Sequence, residues 1–483
     1  MTKFLLVILC FPSFIFGQIP NLPDIKSPAP SGFQNYSQQN FGNPNVKSNV
    51  PTPPSNYLAR SASQIEAQNR KSMLEDFRRI EQEEKQNREL EKETREIQEF
   101  NAVYSLPSLA GKEGTKAYYD AFNKLSAMDA ENYSLTEANF IVESAFYGNK
   151  QDFSQFKSGI EKTARQLLQK MKAEKLDTED NTAKNIALFK YFSQDTKLKN
   201  GSTVTTHKAY KYDFNDPFGS KDYSKMFVSK LLKTGSGQCH SMPLLYLMLA
   251  EQMNTEAYLA LAPNHSYIRF SDDDGEWKNI ELTNGMFSLN TYLLESGYIK
   301  SEALQNKIYL SNLSKKELLA QVFSDLASGY IHKFGYDDFV DTVTSKALEL
   351  NPNSTSAYMH KANTSKMRFE HTANGLGINP YDNKDLQRIK NYPFAVAQLR
   401  QVNQNVKNLD QLGYEYMPPE IYEGWLSSMR KEENRQQSEA IAQKLKEAND
   451  LKRKQQEALK KAQEQKQKSK DDPAYFKIDP SKL

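Results

Sequence analysis

The chain has 483 residues, 38% of them hydrophobic and 25% charged, so it is long enough for two or three domains while much of its length lies outside any core. Its 63 basic and 60 acidic residues nearly cancel to a net charge of +3, which leaves no concentrated basic face of the kind a nucleic-acid backbone requires. Cysteine occurs twice, at Cys10 and Cys239.

In chain order, Lys3, the apolar run from Phe4 to Phe16 and the small Gly17 read as a cleaved signal peptide over 1–17. The run is shorter than the about 20 residues a membrane span needs. Leu9 stands where a lipid-modified Cys10 would take a small residue, and the apolar run continues past it, which argues against a lipoprotein. The expectation is a secreted or periplasmic protein with no membrane span, in which Cys239 has no cysteine partner within the mature chain. Residues 18–60, rich in Pro, Asn, Ser and Gln, are expected to be disordered. Over 61–103 Glu, Arg, Lys and Gln dominate, with sparse apolar residues at Met73, Phe77, Ile80, Leu90 and Ile97. Glu84 and Asn87 interrupt the heptad seam these begin, so the pattern predicts a long exposed helix in preference to a stable coiled coil.

Residues 104–200 read as a helical region. Tyr118, Tyr119, Phe122 and Leu125 share a face, Ser134 to Glu137 form a capping box opening a helix through Phe146, and amphipathic segments cover Phe153 to Leu176 and Thr182 to Phe192. These helices are expected to scaffold the centre of the chain, with their aromatics in the core.

The centre, 201–300, changes character. An apolar helical run from Met226 to Leu232 enters the turn Thr234-Gly-Ser-Gly; Cys239 follows, and then Leu244, Leu245, Leu247, Met248 and Leu249 read as a buried helix. Pro243 is tolerated only near a helix start, which puts Cys239 at the N-terminal edge, where orphan N–H groups and the macrodipole favour a thiolate. Three strand-like runs come next: Glu256 to Ala262, Ser266 to Phe270 and Glu276 to Leu282. A five-residue loop at 271–275 would pair Phe270 with Glu276 and set His265 directly across from Glu281.

That order suits a cysteine nucleophile. A thiol needs an imidazole to stabilise its thiolate and later protonate a leaving group, and the imidazole needs a third group to fix its tautomer. Cys239, His265 and Glu281 are the candidates, with the Cys239 backbone N–H as oxyanion donor. A structural alternative treats Cys239 as a small buried hydrophobe.

This segment resembles the transglutaminase-like superfamily over roughly residues 200–290. Gly237-Gln238-Cys239 is similar to the Gly-Gln-Cys of members of that family, and the stretch from Trp277 to Gly285 resembles its Trp-x-x-x-Asp-x-Thr-Asn-Gly strand and turn. The resemblance implies Cys239 as nucleophile, His265 as base and Glu281 as orienting acid, on a core where a helix carrying Cys packs on a small antiparallel sheet. Glu281 stands where the family usually carries Asp, and His240 where many transglutaminases carry Trp.

Over 301–429 the chain is helical again, and Lys346 to Tyr358 resembles the junction between two tetratricopeptide repeats, a domain pairing also seen in bacterial proteins of that superfamily. Residues 430–483 are expected to form a second charged helix and a tail; Gln and Glu interleaved with Lys444 to Lys470 mark a solvated face. The fold class expected is α+β. No metal or nucleotide cofactor is expected, since His207, His240, His332, His360 and His371 show no helical pairing with acids and no glycine-rich phosphate loop occurs. The function expected is an exported cysteine hydrolase or acyltransferase acting on an amide or peptide carbonyl, with a protein or peptide as substrate. The alternative is an inactive scaffold that binds protein partners in the cell envelope.

Overall fold

The computed structural model describes residues 62–288, 290–294 and 297–428, together with 443, 446–447, 450–451 and 453–461. The leader at 1–17, the segment at 18–60 and most of 430–483 lie outside the described residues. The chain divides into two units, 1–84 and 85–483.

Of the first unit, the structure describes the N-terminal half of helix α1 (Ala62–Tyr104). Its side chains are exposed from 67 onward, including Met73, Phe77 and Ile80. With no apolar face wide enough to pack, the helix relies on local pairs such as Arg79 with Asp76 at 3.1 Å and with Glu83 at 3.9 Å.

The second unit is a mixed α+β fold. Four helices follow α1: α2 (Thr115–Ser126), α3 (Leu135–Phe146), α4 (Phe153–Ala173) and α5 (Asn181–Ser193). A hairpin of β1 (Thr196–Asn200) and β2 (Thr203–His207) leads to β3 (Lys211–Tyr212), α6 (Val228–Thr234), β4 (Ser236–Gly237) and α7 (Ser241–Gln252). Then come β5 (Tyr258–Ala262), β6 (His265–Ser271), β7 (Trp277–Glu281) and β8 (Met286–Ser288), which form a four-stranded antiparallel meander in chain order. Eight α-helices follow up to residue 428: α8 (Asn290–Leu294), α9 (Ser301–Gln305), α10 (Lys315–Phe334), α11 (Asp338–Leu350), α12 (Thr355–Gly375), α13 (Asn383–Leu386), α14 (Pro393–Leu412) and α15 (Pro419–Ser428).

Helix α7 is the centre of this unit. Every residue from Ser241 to Ala250 is buried, as expected of a helix that is apolar on all sides. It packs against α4, α5, β5 and β6. Glu251 near its end satisfies the start of α3, accepting from the Ser134 hydroxyl at 3.3 Å and the Leu135 N–H at 3.2 Å. Of the capping box expected from Ser134 to Glu137 the structure shows the Ser134 half, its hydroxyl accepting the Glu137 N–H at 3.4 Å, while the Glu251 carboxylate, distant in sequence, accepts from the Ser134 hydroxyl.

Two expectations need correction. The β1–β2 hairpin crosses the boundary drawn at 200 between the helical region and the core; the run Thr203-Val-Thr-Thr206, β-branched throughout, favours strand beside the turn at Gly201, whose φ is 60°. The β6–β7 register is also displaced by two residues: Ser271 faces Trp277 and Phe270 faces Lys278. Asp272 causes this, because its Oδ1 accepts the N–H groups of Asp274 at 3.1 Å and Glu276 at 2.9 Å, moving the loop to 272–276.

At the expected repeat junction, α11 ends at Leu350 and α12 begins at Thr355, with the Ser354 hydroxyl accepting the Ala357 N–H at 3.2 Å. The regions read separately as 104–200, 201–300 and 301–429 share one buried core, to which α15 contributes Tyr422 and Leu426. Among the described residues no helix is long and apolar enough to cross a membrane.

Candidate active site

Cys239 is positioned by the strand before it and the helix after it. Gly235, with φ of 69°, ends α6, and Ser236-Gly237 then pairs in parallel with Lys211-Tyr212. A Cβ on Gly237 would lie 2.7 Å from Ser241 Oγ, so only glycine lets the strand meet the start of α7 this closely. Gln238 is fully buried: its N–H donates to Ser241 Oγ at 3.0 Å, and its Nε2 donates to the carbonyls of Asp213 at 2.9 Å and Asp216 at 3.0 Å. Cys239 therefore sits immediately before His240, the N-cap residue of α7.

His265 opens β6 opposite Ala262, across a two-residue turn in which Asn264 has a φ of 56°, a left-handed conformation Asn tolerates. Glu281 ends β7. Under the observed register the two lie diagonally across the β6–β7 pair, and the even shift keeps them on one face. The His265 Nε2–H donates to Glu281 Oε2 at 2.6 Å, and the second carboxylate oxygen accepts the Thr283 N–H at 3.0 Å. Both side chains are buried.

With Nε2 committed to Glu281, Nδ1 is the nitrogen left for the thiol side. It lies 3.2 Å from the hydroxyl of Tyr422, which in turn donates to Cys239 Sγ at 3.5 Å. The thiol donates weakly to the Asn264 carbonyl at 3.9 Å, and the Ser266 hydroxyl donates to the Cys239 carbonyl at 2.5 Å. Tyr422 stacks on Trp425, with centroids 5.8 Å apart, and Trp425 meets His265 edge-on at 5.1 Å. Asn264 Nδ2 donates to the Met417 carbonyl at 2.9 Å, which ties the turn to the segment entering α15.

Electrostatics follow from this packing. Burial raises the Cys239 thiol, but the interaction and positive charge of His265, the Tyr422 hydroxyl and the charge of His240 outweigh it, so its pKa lies below the ordinary thiol value. Burial likewise lowers His265, yet the Glu281 charge, reinforced by Cys239, pushes its pKa up to about 10. Tyr422 is held well above an ordinary phenol, first by burial and then by the charge of Cys239. The arrangement favours a thiolate–imidazolium pair beside a neutral tyrosine.

Cys239 and His265 line a cavity of about 250 Å³. Its far wall comes from α10 and α12, where Asp325 pairs with His240 Nε2 at 3.2 Å and accepts from Gln321 Nε2 at 2.9 Å. Burial lowers the pKa of His240, but Asp325 outweighs it and holds it above the ordinary imidazole value. Among the described residues no cluster of three or more His, Cys, Asp or Glu is placed to hold a metal ion.

The structure thus brings together all three residues singled out from sequence. Sequence reasoning missed Tyr422, which lies 183 positions from Cys239, and Asp325, because no local spacing links either to the thiol. Comparisons with protein-family models, curated proteins and solved structures give no match.

Proposed function

We propose that the protein is an exported cysteine hydrolase or acyltransferase acting on amide or peptide carbonyls, built on a transglutaminase-like core followed by tetratricopeptide-like helices. The observation that carries this reading is the orientation of His265: Glu281 takes Nε2 at 2.6 Å, leaving Nδ1 for the side on which Cys239 lies. The order of parts, with Cys239 ahead of a buried helix and His265 and Glu281 on successive antiparallel strands, supports the finer fold assignment.

In this mechanism the Cys239 thiolate attacks the carbonyl carbon, and the Cys239 N–H faces the developing oxyanion. The C–N bond breaks as the His265 imidazolium gives its proton to the leaving amine, which leaves a thioester on Sγ. Neutral His265 then takes a proton from water, or from an incoming amine, as that nucleophile attacks the thioester and returns Cys239. Glu281 holds the imidazole orientation throughout and stabilises its charged form.

The test is alkylation of the folded protein with iodoacetamide across pH, together with acylation by p-nitrophenyl acetate. Rapid modification confined to Cys239, with a midpoint below that of a free thiol, is the expected result. A folded protein whose Cys239 resists both reagents would leave a non-catalytic, partner-binding scaffold as the reading.

A further inference from the structure

Resting on that reading, we propose that Tyr422 is a catalytic residue that passes protons between Cys239 and His265 through its hydroxyl. The thiol sulfur and one imidazole nitrogen both meet this hydroxyl: Nδ1 lies 3.2 Å from the phenol oxygen, and the phenol donates to Sγ at 3.5 Å. A hydroxyl can donate and accept at once, so it bridges the two alongside the interaction that thiol and imidazole make directly.

The step balances without ionising the tyrosine. In the neutral pair Sγ–H gives its proton to the phenol oxygen while the phenol gives its own to Nδ1, producing thiolate and imidazolium with Tyr422 unchanged. The reverse transfer carries the Nδ1 proton to the phenol oxygen and the phenol proton to the departing amine; in deacylation the water attacking the thioester gives a proton to the phenol oxygen while the phenol gives its own to Nδ1, so that His265 receives the water's proton through Tyr422. Burial and the neighbouring Cys239 charge keep Tyr422 from losing its proton outright, which is what a carrier needs. Among the other titratable groups on this thiol, the buried Tyr212 phenol has its pKa raised, first by burial and then by the Cys239 charge, and His240 adds positive charge.

Placement of the ring is firm. Tyr422 is fully buried, stacked on Trp425 at 5.8 Å and packed against Phe218 at 5.2 Å, so the ring is held between these two aromatic side chains. Phenylalanine would fill the same space and remove the oxygen alone.

The experiment compares wild type and Tyr422→Phe by iodoacetamide alkylation across pH and by acylation with p-nitrophenyl acetate, followed by deacylation in mixtures of H2O and D2O. The relay predicts a thiol midpoint at least one pH unit higher in the Phe variant, deacylation at least about tenfold slower, and a curved, two-proton isotope dependence in the wild type. An unchanged midpoint, or faster alkylation in Tyr422→Phe, would mean that the hydroxyl merely covers the thiol and would overturn the proposal. If the Phe variant does not fold, the wild-type isotope dependence decides: a straight line, one proton in flight, overturns the relay and a curve supports it. Failure of the wild type to acylate at all would instead remove the acyl-transfer reading and the relay with it.

Discussion

His265 and Glu281 meet through a 2.6 Å hydrogen bond although they are not directly paired on the sheet; the β6–β7 register places them diagonally, on one face. Diagonal neighbours are some 7–8 Å apart at Cα, so the longer reach of Glu serves here where Asp would fall short of the same contact.

Glu281→Gln should therefore keep the fold while removing the charge that raises His265. Alkylation of Cys239 at pH 7 should fall about tenfold or more, since loss of about one pKa unit of stabilisation corresponds to a factor of ten. Glu281→Asp should fall between wild type and Gln, because its carboxylate is one methylene short. Rates equal to wild type in both variants would separate Glu281 from thiol activation.

The pH window follows from the two shifts. The pKa of His265 is raised, to about 10, so its contribution to stability is complete below the ordinary imidazole value and is lost as pH rises through about 10. The pKa of Cys239 is lowered, so its contribution is present above the ordinary thiol value and is lost as pH falls through the folded one. Wild-type alkylation should accordingly set in below the ordinary thiol range. The difference in Tm between wild type and Cys239→Ala should shrink as pH falls through the folded thiol's pKa, which thermal melts over pH would record.

Gly413 connects α14 to the segment leading to Tyr422, with φ of 88° and an ideal Cβ position 2.2 Å from the Ala303 backbone nitrogen. Gly413→Ala meets backbone that cannot rotate away and should cost about 3 kcal/mol or more. It should also change Cys239 alkylation, because α15 must shift; a lower Tm with an unaltered alkylation profile would show α15 held independently of this turn.

Limited trypsin digestion should cut α1 within its exposed stretch and stop near its end. Phe100 and Tyr104 pack on Phe394 at 4.9 and 5.7 Å, and the Tyr104 carbonyl accepts from Gln398 Nε2 at 2.7 Å, so the last turn opens at greater cost than the turns before it. Mass spectrometry should find a resistant fragment starting between about 92 and 100; removal of residues through 104 without loss of Tm would contradict this docking.

Local pattern made much of this protein legible: the buried helix after Cys239, the strand that follows His265 and the one that bears Glu281, and the long charged helix at 62–104 all follow from periodicity, Gly and Pro placement and composition. Parity made the pairing of His265 with Glu281 robust, because a two-residue slip in register returns side chains to the same face. The slip itself depended on the Asp272 side chain folding back on its own loop, a choice that alternation of apolar residues does not encode. Tyr422 and Asp325 were decided by tertiary structure alone. Their contacts with the cysteine segment arise from how α15 and α10 pack on the shared core, and contacts that close a loop of 183 residues leave no trace in local spacing.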